Sequence, residues 1–128
     1  MFTGICKDIN GGFAEYMVVH KSQVYHVPTG VSAESAALTE PLAVGLQAVL
    51  DNRPADTDRV LVIGGGVIGA MIVKAIRGLA IGCTITVVEP SAFNADYIKK
   101  SGANHVIEGG IIEAAEKITG AKAYKPML

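Results

Sequence analysis

Residues 60–69 read VLVIGGGVIG, and this run constrains the fold more than any other part of the chain. Four β-branched or leucine residues in a row favour an extended strand. The three glycines behind them open backbone conformations closed to other residues, so the strand is expected to end in a tight turn. From residue 67 to 79 the apolar positions cover most of a helical circumference. Lys74 and Arg77 stand one turn apart near its end, where cations suit the helix dipole, and are expected to share its exposed face. A strand that turns directly into a helix packed on it is the opening unit of a layered α/β fold.

The pattern repeats downstream. Residues 84–89 (TITVVE) read as a strand, 96–100 lie in a helix closed by Gly102, 105–108 (HVIE) form a third strand, and 111–120 form a helix ending at Gly120. Strand and helix alternate with short connections, which predicts parallel strands joined by crossover helices, the first strand being buried on both faces. Upstream the character differs. Residues 13–19 (FAEYMVV) and 23–27 (QVYHV) read as short strands. Ser32 can cap a helix running to Leu38, and Pro41 suits the first turn of another that residues 51–54 terminate.

The glycines have chemical meaning as well. Gly64, Gly66 and Gly69 fit the spacing G-x-G-x-x-G: the first permits the turn, the second leaves room for a pyrophosphate against the backbone, and the third allows close helix–strand packing. The amides of Val67 and Ile68 would then face phosphate oxygens at the positive end of the helix dipole. Glu89 closes the second strand 20 positions beyond Gly69, where an acid can accept hydrogen bonds from an adenosine ribose. A carboxylate there would sit against the 2′-phosphate of NADP, repelling it by roughly 1 to 4 kcal/mol, so NAD is the expected cofactor.

Composition narrows the alternatives. Eleven Lys and Arg against 12 Asp and Glu give a formal net charge of -1, with no basic stripe for nucleic acid or an anionic membrane. The longest charge-free run is too short for a membrane span, and residues 1–12 lack the apolar core of an export signal, which together imply a cytoplasmic protein. Cys6 and Cys83 are too far apart in sequence to suggest a metal knuckle or redox pair, and Cys83 is expected to be a small core residue. His20, His26 and His105 are isolated and read as surface residues beside strands. No catalytic residue is identified.

Three segments in order, GGFAEY, EPLAVG and GGGVIG, resemble the zinc-type medium-chain alcohol dehydrogenase superfamily, in particular its polyol and threonine dehydrogenase branch. The resemblance implies an α/β chain in which residues 59–128 are the first half of an NAD-binding Rossmann domain. Residues 31–58 would be an interdomain helical segment, and 1–30 a short β remnant of a GroES-like catalytic domain. The implied activity is oxidation of a secondary alcohol, a polyol or hydroxy amino acid, by hydride transfer to NAD. Glu40 of the EPL segment matches a position at the family's catalytic zinc. Zinc normally needs at least three protein ligands, and the matching cysteine and histidine positions would lie upstream of Met1, so the metal is expected in a parent enzyme rather than in this chain. Asn94 stands where the family often carries a basic residue five positions after the acid. Two other readings remain open: a non-catalytic NAD-sensing or regulatory module, and an assembly element with a vestigial motif.

The family's strand order, 3-2-1-4-5-6, would leave the first strand of this chain with an open edge. Such an edge, with no lysine or proline inside it, seeks a partner, and a homodimer or higher oligomer is expected. Folding back of residues 121–128 over the edge is the competing possibility.

Overall fold

The computed structural model describes residues 11–122. These residues fall into two compact units that divide between Ala36 and Ala37. Cys6, and residues 123–128 of the segment considered as a cover for the strand edge, lie outside the described residues.

In the first unit the strands expected at 13–19 and 23–27 do not form: bends occupy 12–15, and a single 3-10 turn spans Lys21–Gln23. Valine and tyrosine favour extended backbone, but a strand is stabilised by pairing, and no partner strand for these segments occurs among the described residues. Their side chains are exposed, Phe13, Tyr16 and Tyr25 among them. The helix α1 (Ala33–Ala37) begins where expected, with the Ser35 amide donating to the Ser32 hydroxyl at 3.2 Å.

The second unit is built on α2 (Thr39–Asp51), β1 (Arg59–Ile63), α3 (Val67–Gly78), β2 (Thr84–Val88), α4 (Ala92–Ser101), β3 (His105–Ile107) and α5 (Ile111–Thr119). The strands form a parallel sheet in the order β1-β2-β3. Val60 lies opposite Ile85 and Val62 opposite Val87, while Thr86 meets His105 and Val88 meets Ile107. The alternation expected from sequence is therefore present: parallel strands joined through helices. Gly102 and Gly120, with φ of 111° and 72°, close α4 and α5 in the left-handed conformation.

One face of the sheet carries the core. Val62, Ile85 and Val87 are buried with Val73 and Ile76 of α3 and Ile98 of α4. Cys83 is a fully buried free thiol, as expected of a small core residue. Helix α2 lies against α3 so closely that a Cβ on Gly45 would come 2.8 Å from the Met71 carbonyl carbon. The other face is open at β1, where Leu61 and Ile63 are 48% and 58% exposed. The expectation that β1 is buried on both faces is thus corrected. Its composition suits double burial, but β1 is the edge strand and its second face meets no covering helix among the described residues.

Arg77 also departs from expectation. It does not share the exposed face with Lys74 but folds inward, Nε donating to the Gly102 carbonyl at 2.9 Å and Nη1 to those of Ile81 and Cys83 at 2.9 and 3.0 Å. Lys74 stays at the surface, 5.6 Å from the centroid of the Tyr97 ring.

No helix among the described residues is long and apolar enough to cross a membrane.

Candidate dinucleotide site

The turn between β1 and α3 brings the fingerprint glycines together at the carboxyl ends of the strands. Gly64 donates its amide to the Val88 carbonyl at 2.9 Å, which extends the β1–β2 ladder one residue into the turn. Its φ of 94° then reverses the chain. That conformation is strained for any residue with a side chain, so glycine here is a backbone requirement. Gly66 is the N-cap of α3, in extended conformation and with no side-chain cap.

The glycines differ in what surrounds them. A Cβ on Gly69 would overlap the Gly64 carbonyl oxygen, so the first turn of α3 rests directly on the loop. Around Gly66 nothing lies within 4 Å of the position a Cβ would take. The space beside Gly66 is open, at the end of a helix whose first amides lack intrahelical acceptors. Val67 and Ile68 open α3, so their amides belong to the first turn that Gly66 caps. The arrangement fits a diphosphate: a concave backbone, unpaired donors and the positive end of a helix dipole.

Glu89 stands at the end of β2 and is only 6% exposed. Its Oε1 accepts from the Ser91 amide at 2.8 Å, and its Oε2 from the Gly65 amide at 2.6 Å. These two backbone bonds, that of Ser91 first, hold the carboxyl below its ordinary range against the opposing effect of burial, and the Asn94 side chain lowers it slightly further. Glu89 is therefore an anion at neutral pH, and each oxygen retains a second lone pair for a ribose hydroxyl.

Two residues had no assigned role in the motif. Gly65 occupies a position where the fingerprint accepts any residue, yet a Cβ there would come 2.9 Å from Ile98 Cγ1 and 3.0 Å from Glu89 Cβ. The run of three consecutive glycines, one more than the motif asks for, was the available signal. Asn94, considered only for the positive charge it lacks, instead makes a small contribution that favours the anionic form of the acid.

Glu40 lies in the first turn of α2 and is exposed. Among the described residues no three His, Cys, Asp or Glu side chains gather into a metal-binding group. His20, His26 and His105 are all exposed. The described residues do not fit a zinc cage, since a single carboxylate cannot supply the donor set the ion requires.

No protein-family profile matches the chain. Individual proteins do. The chain is 31% identical over 110 residues to sorbitol dehydrogenase of Bacillus subtilis, a match that takes in 86% of this chain and 31% of that protein. It is 36% identical over 100 residues to L-threonine 3-dehydrogenase of Pyrococcus abyssi, covering 78% of this chain and 28% of that protein. Its fold superposes on the NADH complex of an alcohol dehydrogenase from E. coli CFT073 with a TM-score of 0.76 at 28% identity, over 88% of this chain and 34% of that one. The chain thus spans about a third of the length of the relatives it matches. In sequence and in fold, it belongs to the zinc-type medium-chain alcohol dehydrogenase superfamily, of which it represents one segment.

Proposed function

We propose that the chain binds NAD and serves the oxidation of a secondary alcohol, of the polyol or hydroxy amino acid class. In this reading residues 59–128 are the first half of the NAD-binding domain, 31–58 an interdomain segment, and 1–30 the end of a GroES-like catalytic domain. The observation that carries it is the open space at Gly66, bounded by the left-handed Gly64, the start of α3 and the anionic Glu89. The NADH complex of the E. coli relative supports the choice of cofactor.

Each residue has a task in binding. Gly64 and Gly66 bring the backbone up to the pyrophosphate, and the Val67 and Ile68 amides donate to its oxygens. Gly69 keeps α3 against the loop so that those amides do not drift. Glu89 accepts from the ribose hydroxyls and opposes a 2′-phosphate. When bound, the nicotinamide supplies the hydride acceptor. The described residues hold no metal cage, so polarisation of the alcohol oxygen is assigned to none of them.

Self-association through the open edge of β1, to a homodimer, belongs to the same proposal. So does a cytoplasmic setting, which accords with the free thiol of Cys83.

Calorimetric titration with NAD and NADP tests the assignment. NAD is expected to bind more tightly than NADP, and Gly66→Val to abolish binding of both by filling the space the pyrophosphate needs. Equal affinities, or a Gly66→Val variant that binds normally, would overturn it.

A further inference from the structure

Both oxygens of Glu89 are engaged by the backbone before any ligand is considered, and one of the donors is the middle glycine of the phosphate loop. Gly65 sits between Gly64, whose φ of 94° makes the turn, and Gly66, from which α3 starts. Three consecutive glycines have the widest conformational freedom of any tripeptide, and ordering them around a ligand costs affinity. A short, charge-assisted hydrogen bond to the central amide orders them in advance. The lack of a side chain at Gly65 belongs to the same arrangement, because a Cβ there would press 3.0 Å from Glu89 Cγ. The Ser91 amide holds the carboxylate from its other oxygen and fixes its direction.

We propose that Glu89 is a positioning residue for the phosphate cradle: by clamping the Gly65 amide it preforms the loop that receives the diphosphate, in addition to accepting from the ribose. This rests on the dinucleotide reading above and adds to it that one carboxylate couples ribose recognition to phosphate recognition. Replacing Glu89 to admit a 2′-phosphate therefore loosens the loop that both cofactors use. Such a variant loses affinity for NAD without becoming a strong binder of NADP.

The test separates the two roles with a ligand that has the diphosphate but no ribose hydroxyls, 2′,3′-dideoxy-ADP, titrated beside ADP into the wild-type chain, Glu89→Gln and Glu89→Ala. A residue that only held the ribose would leave the dideoxy ligand untouched. The clamp predicts about tenfold weaker dideoxy-ADP binding to Glu89→Ala, the smaller end of what losing a hydrogen bond to a charged group causes. Glu89→Gln, with one acceptor oxygen for two backbone amides, is expected to lie between. Should Glu89→Ala fail to fold, Glu89→Gln and the wild-type Gly65 amide resonance decide: that amide is expected to be shifted downfield, protected from exchange and sensitive to titration of the carboxyl. Unchanged dideoxy-ADP affinity in a folded Glu89 variant, or a freely exchanging Gly65 amide, overturns the clamp alone. A wild-type chain that binds neither ADP nor dideoxy-ADP overturns the dinucleotide reading and the clamp with it.

Discussion

Arg77 and Asn104 stand 27 positions apart in the chain and are joined by a 2.7 Å hydrogen bond from Nη2 to Oδ1. The same oxygen accepts from the Ile85 amide at 2.7 Å, so one amide side chain ties α3 to the start of β2 and the approach to β3. With its bonds to the carbonyls of Gly102, Ile81 and Cys83, Arg77 satisfies three backbone groups that lie where helix α3 ends and two strands begin.

Arg77→Ala is accordingly expected to destabilise the fold by about 1 to 2 kcal/mol, since part-buried carbonyls left without donors are costly. Arg77→Lys should recover little of this, because an ammonium cannot reproduce the planar fork that reaches three carbonyls. Urea unfolding midpoints of the two variants measure the difference. A lysine variant as stable as wild type would show that charge rather than geometry matters at this position.

Gly66 and Gly69 provide a second contrast, because the same substitution has opposite meaning at the two sites. Gly69→Ala drives a Cβ into the Gly64 carbonyl oxygen and should cost about 3 kcal/mol, whereas Gly66→Ala adds a methyl to open space at an N-cap and should cost about 1 kcal/mol or less. Thermal melts give the stabilities, and NAD titration of the stable Gly66 variant gives the effect on binding. A Gly69→Ala protein that melts with the wild type would mean that α3 does not rest on the loop.

The second unit was largely legible in the sequence because strand and helix periods alternate there and glycines mark most of the boundaries from β1 onward. The first unit was not: valine and tyrosine in residues 13–27 express a preference for extended backbone, but a strand exists only where another pairs with it, and no local pattern reports that. Arg77 misled for a related reason. Its helical spacing from Lys74 was correct, yet the carbonyls it reaches belong to residues 81, 83 and 102, whose positions depend on the tertiary fold. At the site, Glu89 was found by its distance from the glycines, whereas its bond to Gly65 needed β1 and β2 to be side by side.

Acid should weaken the fold through Glu89. Its carboxyl titrates lower in the folded chain than in the unfolded one, where about 4.3 is ordinary, so the anion contributes stability that is complete above the unfolded value. That contribution is lost as the pH falls through the lower, folded value. Melting temperatures of wild type and Glu89→Gln, followed from neutral pH downward, should therefore differ most at neutrality and converge in acid. A difference that widens on acidification would reverse the sign assigned to this group.

The edge of β1 yields the last prediction. The Thr84 amide donates to the Asp58 carbonyl at 3.0 Å and the Gly64 amide to the Val88 carbonyl at 2.9 Å, and in a parallel ladder successive residues bond to alternate sides. Residues 58, 60, 62 and 64 therefore face β2, while Arg59, Leu61 and Ile63 direct their amides and carbonyls outward. On this edge β1 pairs with no strand among the described residues, and Leu61 and Ile63 add exposed apolar surface beside it. An unpaired apolar edge favours strand addition, so the chain is expected to dimerise in a concentration-dependent way. Leu61→Pro removes an outward amide without touching the ladder to β2, and Leu61→Lys places a charge on the apolar strip; both should give monomers. Val62→Pro is a poor substitute, because its amide belongs to the β2 ladder and its side chain to the core. Light scattering across a concentration series reads the outcome. A wild-type chain that stays monomeric, with the Leu61 amide exchanging freely with solvent, would show that the edge needs no partner.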